Sequence, residues 1–93
     1  MKSNLARENA VEILRRKLVF RSWHRGTKEM DLMLGRFADI HVAQMGMTQL
    51  LQFEALMHEN DPDLYGWLTG HAETPERCRN EVMELMVSFY AKK

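Results

Sequence analysis

Residues 21–37 read Arg-Ser-Trp-His-Arg-Gly-Thr-Lys-Glu-Met-Asp-Leu-Met-Leu-Gly-Arg-Phe, and they divide the chain into a basic leading helix and an acidic remainder. Gly26 is the only permissive backbone position of a short connector. Directly after it the apolar spacing turns helical: Met30, Met33, Leu34, Phe37 and Ile40 predict the buried face of a helix over about 27–41. Thr27 is placed to cap it, and Glu29 and Asp31 load its first turn with the negative charge a helix N-terminus favours. Gly35, inside that helix, weakens it by about 1 kcal/mol relative to alanine and predicts another backbone passing close by.

Upstream, Val11, Leu14 and Leu18, with Ala10 beside them, form one stripe of a helix over about 4–20. Arg15, Arg16 and Lys17 cluster near its C-terminal end, where cations offset the helix dipole. Downstream, Thr48 is the expected cap of a helix over about 48–59, with Leu50, Phe53 and Met57 on one face. Asp61, followed by Pro62 at the first helical position, predicts a short helix over about 62–69 that points Leu64, Trp67 and Leu68 inward and stops at Gly70. Thr74-Pro75-Glu76 repeats that pattern and predicts a fifth helix running to about residue 91, with Cys78, Val82, Leu85, Met86 and Phe89 as its stripe. No alternating run flanked by turn residues competes. The expectation is an all-α protein, one domain over residues 1–93, built as a small antiparallel bundle of about five helices.

Composition narrows the function classes. Residues 1–28 hold eight Lys/Arg against two Asp/Glu, a net of +6; residues 29–93 hold five against eleven, a net of −6. A basic segment steers toward nucleic acid, a phosphate-bearing cofactor or an acidic protein surface, unless the two halves neutralise each other within the fold. One cysteine excludes an internal disulfide, and Cys78 in an apolar stripe reads as a small buried hydrophobe. Eight methionines read chiefly as core filler. No apolar run approaches the ~20 residues of a membrane span.

The common catalytic and metal motifs are incomplete. His58-Glu59 opens like a zinc-protease motif, but Pro62 stands where the second histidine belongs. Asp61 and Asp63 open like a calcium loop whose twelfth position is Ala72 rather than a bidentate Glu. The five glycines form no phosphate-binding pattern, and no Ser or Cys sits in an activating context. An enzyme in its own right is not expected. The residues alone leave open a small helical regulator that binds nucleic acid, or that neutralises another protein as an antitoxin does. A near-neutral pI argues against the first.

Arg25-Gly26-Thr27-Lys28-Glu29, followed by Asp31 and Phe37, resembles the RGxxE signature of the succinate dehydrogenase assembly factor 2 family, the flavinators. Arg15-Arg16 upstream and Asp61-Pro62-Asp63-Leu64-Tyr65-Gly66-Trp67-Leu68 downstream resemble the family's other signature segments at similar spacing, so the likeness covers most of residues 11–70. It implies a five-helix protein that is not an oxidoreductase. It implies a helper that binds the flavoprotein subunit of succinate dehydrogenase, or of fumarate reductase, and promotes covalent attachment of FAD to a histidine of that subunit. No tightly bound cofactor, no nucleic acid or membrane partner, and a monomer when free are expected. Carried over by residue, Arg25, Gly26 and Glu29 are expected in the contact surface with Asp31 beside them. Arg15, Arg16, His24, Asp61, Asp63 and Tyr65 complete the expected set. Without the resemblance, Arg25 and Glu29 read as an ion pair across a helix start. Mitochondrial members carry a targeting extension, and a chain opening almost on its first helix is expected to be a bacterial, cytoplasmic member.

Overall fold

A computed structural model describes the backbone of residues 2–91 and the side chains of residues 9–91. Among the described residues five helices follow one another: α1 Lys2–Trp23, α2 Lys28–His41, α3 Met47–Met57, α4 Asp61–Thr69 and α5 Glu81–Ala91. Single 3₁₀ turns at Val42–Gln44 and Glu76–Cys78 precede α3 and α5. Among the described residues there is no strand. The long α1 packs on α2 and α3, and α5 packs on α3 and α4.

The core is where the 3.6-residue period puts it. Leu18 of α1, Leu34 and Phe37 of α2, Leu50 and Phe53 of α3, Leu64 of α4, and Val82 and Met86 of α5 are fully buried. Met30, Met45, Met57, Met83 and Met86 are buried among them, so the methionines are chiefly core filler. Cys78 is buried too, and desolvation pushes its thiol up, with the neighbouring Glu59 adding to the effect. No helix among the described residues is long and apolar enough to cross a membrane.

Several local expectations are corrected. The first helix runs on to Trp23, because Ser22 and Trp23 lie one turn beyond Leu18 and Val19 and share their packing faces; Ser22 is buried and its hydroxyl donates to the Leu18 carbonyl at 2.7 Å. Ala10, by contrast, is exposed at the edge of that stripe. Ile40 is 55% exposed. A step of four from Phe37 keeps closer to the inward face than a step of three, so His41 takes the inner place and its ring meets Phe37 and Phe89. Helix α3 starts from Gly46, without a side-chain cap, which leaves Thr48 exposed in the first turn. Helix α4 is capped by Asn60, whose Oδ1 accepts the Asp63 N–H at 3.0 Å; Asp61 moves to the first helical position and Pro62 to the second. The Thr74-Pro75-Glu76 signal opens only a 3₁₀ turn. Arg79 is extended, and α5 starts afresh with Asn80 Oδ1 accepting the Met83 N–H at 2.8 Å.

Gly35 does face a close neighbour, but it is a side chain and not a backbone. The indole of Trp23 lies flat against it, occupying the space a Cβ would need, and the indole N–H donates to Asp39 Oδ1 at 3.1 Å. At the far end of the chain, the half-buried Tyr90 donates its hydroxyl to the Met33 carbonyl and fastens α5 to α2. Burial pushes the Tyr90 phenol above its ordinary range, an effect that the Arg36 charge partly opposes.

Two measurements check this packing. Gly35→Ala improves helix propensity by about 1 kcal/mol but must displace the indole. A net loss of about 1–3 kcal/mol is expected, read as a lower Tm and a shifted Trp fluorescence. Tyr90 is raised in the folded state, so its contribution is complete below the unfolded phenol value near 10 and is lost as pH rises beyond it. Urea titrations from pH 8 to 11 are expected to show a steeper alkaline loss of stability in the wild type than in Tyr90→Phe.

Candidate functional site

The connector between α1 and α2 is short, polar and firmly held. Its central contact is made by Arg25. The guanidinium crosses to the link between α3 and α4, where Nη1 donates to the Met57 carbonyl at 2.6 Å and Nη2 to the Glu59 carbonyl at 2.9 Å. Nε and Nη2 both donate to Asp61 Oδ1, at 2.9 and 2.7 Å. The Arg25 side chain is 12% exposed and that of Asp61 22%. One cation thus satisfies carbonyls left open at the C-terminal end of α3 and pairs with a carboxylate at the start of α4. The ion pair falls on Asp61 and not on Glu29, because the side chain of Arg25 turns inward while Glu29 stands outside on the first turn of α2.

Asp31 holds the connector from the other side. Its Oδ1 accepts the backbone N–H of Arg25 at 2.5 Å and of Gly26 at 3.3 Å. Thr27 Oγ1 caps α2 by accepting the Met30 N–H at 3.3 Å. Gly26 sits between these fixings with φ +125°, a left-handed value that disfavours any side chain. It is exposed, and a Cβ built on it would touch nothing, so its surroundings are open on the outside. Lys28 and Glu29 follow, also exposed.

Two grooves flank the connector in sequence. The first, about 630 Å³, is lined by Glu29, Leu32 and Met33 of α2, Tyr65, Trp67 and Leu68 of α4, and Val87 and Tyr90 of α5. The second, about 560 Å³, lies between α1 and the C-terminal half of α2; Arg15, Arg16, Phe20, Trp23 and His24 line one wall and Ala38, Asp39 and Val42 the other. There His24 stacks on Phe20 with ring centroids 4.0 Å apart, and Phe20 is 63% exposed. Arg15 is anchored at both ends of its fork, to Glu12 Oε1 at 3.3 Å and to the Met45 carbonyl at 2.8 Å.

The residues singled out in the sequence therefore separate. Arg25, Asp31 and Asp61 form one internal brace. Glu29 and Tyr65 share the first groove; Arg15, Arg16 and His24 share the second. Gly26 stands between, and Asp63 is exposed on α4 in neither groove. The aromatic and aliphatic walls contributed by Trp67, Val87 and Tyr90 had no signal in the sequence beyond apolar spacing. Nothing local predicts that the Met57 and Glu59 carbonyls face Arg25. Part of the basic charge of the leading segment is matched within the fold, by Arg25–Asp61 and by Lys17–Glu54 at 3.6 Å. No group of three or more metal-ligating side chains gathers among the described residues. The arrangement offers a held backbone turn, an outward carboxylate at Glu29 and two apolar grooves.

The brace makes a sharp prediction about stability. Arg25→Ala leaves a partly buried carboxylate and two carbonyls unpaired, and Asp61→Ala leaves the guanidinium short of its anion; each is expected to cost about 2 kcal/mol. The double substitution is expected to cost much less than the two together, because both remove the same contact. Urea unfolding of the four proteins checks this, and additive losses would contradict it.

Comparison with known proteins places the chain in a family. The family profile Sdh5, described as the flavinator of succinate dehydrogenase, matches residues 16–90. A Dictyostelium discoideum protein named succinate dehydrogenase assembly factor 2, mitochondrial, is 38% identical over 76 residues, 82% of this chain and 54% of that one. Its Danio rerio namesake is 37% identical over 82 residues, 86% of this chain and 52% of that one. A protein of Acetobacter pasteurianus named FAD assembly factor SdhE is 34% identical over 85 residues, 91% of this chain and 77% of that one. The chain thus spans about half the length of the two mitochondrial relatives and more of the bacterial one. The matched span takes in the connector, the Arg25–Asp61 brace and all but the last residue of α5, and on that match the chain belongs to the family of flavinators of succinate dehydrogenase.

Proposed function

We propose that this chain is an assembly factor that binds the flavoprotein subunit of succinate dehydrogenase, or of fumarate reductase, and promotes covalent attachment of FAD to that subunit. FAD belongs to the partner; this chain holds no cofactor tightly and performs no redox step. It acts in the cytoplasm, as a monomer when free, without nucleic acid or membrane. Family membership and the names of the relatives support the reading. The observation that carries it on this chain is the exposed turn Gly26–Glu29, held from within by Arg25 and Asp31.

The chemistry needed is positioning. A flavin and a histidine of the partner must be held in a productive geometry, and orientation alone supplies several kcal/mol of a barrier. A small protein achieves this by binding one conformation of the flavoprotein better than the others, with no catalytic group of its own. In this reading Gly26 and Glu29 are the contact residues, with Tyr65 beside Glu29 and with His24, Arg16 and Arg15 on the other side of the turn. Arg25, Asp31 and Asp61 act through them, by fixing the turn's shape. Asp63 is a peripheral contact.

The test mixes this protein with the apo flavoprotein subunit and FAD and follows covalent flavin by fluorescence on a denaturing gel. Wild type is expected to raise covalent flavin. Glu29→Ala is expected to bind about tenfold more weakly with an unchanged Tm, as loss of an outward contact should. Gly26→Arg is expected to abolish the effect through bulk and backbone strain. Arg25→Ala is expected to lose Tm and flavin attachment together. If wild type neither forms a complex with the subunit nor raises covalent flavin, the proposal is wrong.

A further inference from the structure

The groove beside Glu29 has a chemical character that names its occupant. Its walls are mostly apolar and aromatic, led by Leu32, Met33, Tyr65, Trp67, Val87 and Tyr90. Glu29 is the one charged side chain among the described residues that line it. No described residue pairs with that carboxylate, in contrast to Asp31, Glu59 and Asp61, each of which has a hydrogen-bond partner within the chain. Two other polar groups of the lining are already engaged. The Thr69 hydroxyl donates to the Tyr65 carbonyl at 2.7 Å, and the Tyr90 hydroxyl donates to the Met33 carbonyl. Arg36 lies near enough to Tyr90 to act on its hydroxyl but is not part of the lining. Tyr65 is 39% exposed and Val87 is exposed as well, so the apolar wall reaches the surface.

A lone carboxylate set in an aromatic wall is complementary to a cation with an apolar stem. Of the two basic side chains, arginine fits better. Its planar guanidinium stacks on an aromatic face and pairs with a carboxylate through two parallel hydrogen bonds, whereas lysine offers a strongly hydrated point charge. The groove, at about 630 Å³, lies within the range of ~300–1000 Å³ typical of sites that enclose a sizeable ligand. An arginine therefore enters with apolar neighbours. We propose that this groove receives an arginine-centred segment of the flavoprotein subunit, with the guanidinium on Glu29 and Tyr65 and a flanking apolar side chain against Met33 and Val87. This rests on the function proposed above and names the partner chemistry at one part of that surface.

The experiment places a photo-reactive benzoyl-phenylalanine at Val87, irradiates the complex with the apo flavoprotein subunit, and identifies the labelled segment by mass spectrometry. In parallel the affinity for the subunit is measured for wild type, Glu29→Lys, Tyr65→Ala and Tyr65→Phe, each checked by Tm. The label is expected on a segment containing arginine next to an apolar residue. Glu29→Lys and Tyr65→Ala are expected to weaken binding by about tenfold or more, and Tyr65→Phe by much less, because the ring face survives. Exchanging the charges, with that arginine replaced by Glu and Glu29→Arg on this chain, is expected to recover most of the lost affinity. A label on a segment without arginine, no label at Val87, or wild-type affinity in Glu29→Lys would each overturn the assignment while leaving the assembly-factor reading intact. Absence of any complex with wild type would instead refute that reading itself.

Discussion

The guanidinium of Arg25 is the contact on which the displayed surface depends. It reaches from the α1–α2 connector to the α3–α4 link and joins three separate requirements in one group: two carbonyls at the end of α3, a carboxylate at the start of α4, and the connector that carries it. Arginine suits this because its donors lie in a rigid plane and it stays charged when half buried. Lysine has three donors on one compact ammonium and could not spread them in a plane across the Met57 and Glu59 carbonyls and Asp61. With Asp31 gripping the same connector through its backbone N–H groups, the turn at Gly26 is fixed from both sides and still open to the outside. The inward and outward halves of one short motif thus have different physical duties. The arginine shapes the turn, and the glycine and glutamate present it.

Packing elsewhere supports that turn. Trp23, the last residue of α1, lies against Gly35 of α2, so the two helices approach closely just before the connector joins them. Tyr90 closes the other side by bonding to Met33 of α2. Helix α2 is consequently held at both of its flanks, and Glu29 on its first turn inherits that fixity. A core rich in methionine fills the irregular spaces between five short helices without demanding close shape complementarity at every position.

Much of this was legible in the sequence because it follows from local rules. Period and punctuation identify the five helices, the Thr27 cap, the Gly70 stop and the inward face of each element. The misreadings have physical causes. Asn60 and Asp61 are both good caps, and which one serves is decided by Arg25, which claims the Asp61 carboxylate from 36 positions away. Thr74-Pro75-Glu76 is a sound start signal, yet the extended Arg79 interrupts it, and the four-residue step from Cys78 to Val82 imitates continuous helix across the break. Gly35 announces a close neighbour but cannot say whether it is backbone or indole. The brace is the hardest case. A pair 36 positions apart has no periodicity to betray it, and the bland local alternative, Arg25 with Glu29, satisfies every short-range rule.

The Arg25 brace also sets an order of events in folding. Its acceptors lie 32 to 36 positions beyond the arginine, so it forms only after α3 and the start of α4 exist and a loop of that length has been closed. Helices α1 and α2 can form early from local contacts, but the turn between them takes its final shape late. A chain still being synthesised, or one that has lost its second half, therefore carries the Gly26–Glu29 sequence without carrying its shape. Display of that surface is a report that the chain has folded through the start of α4.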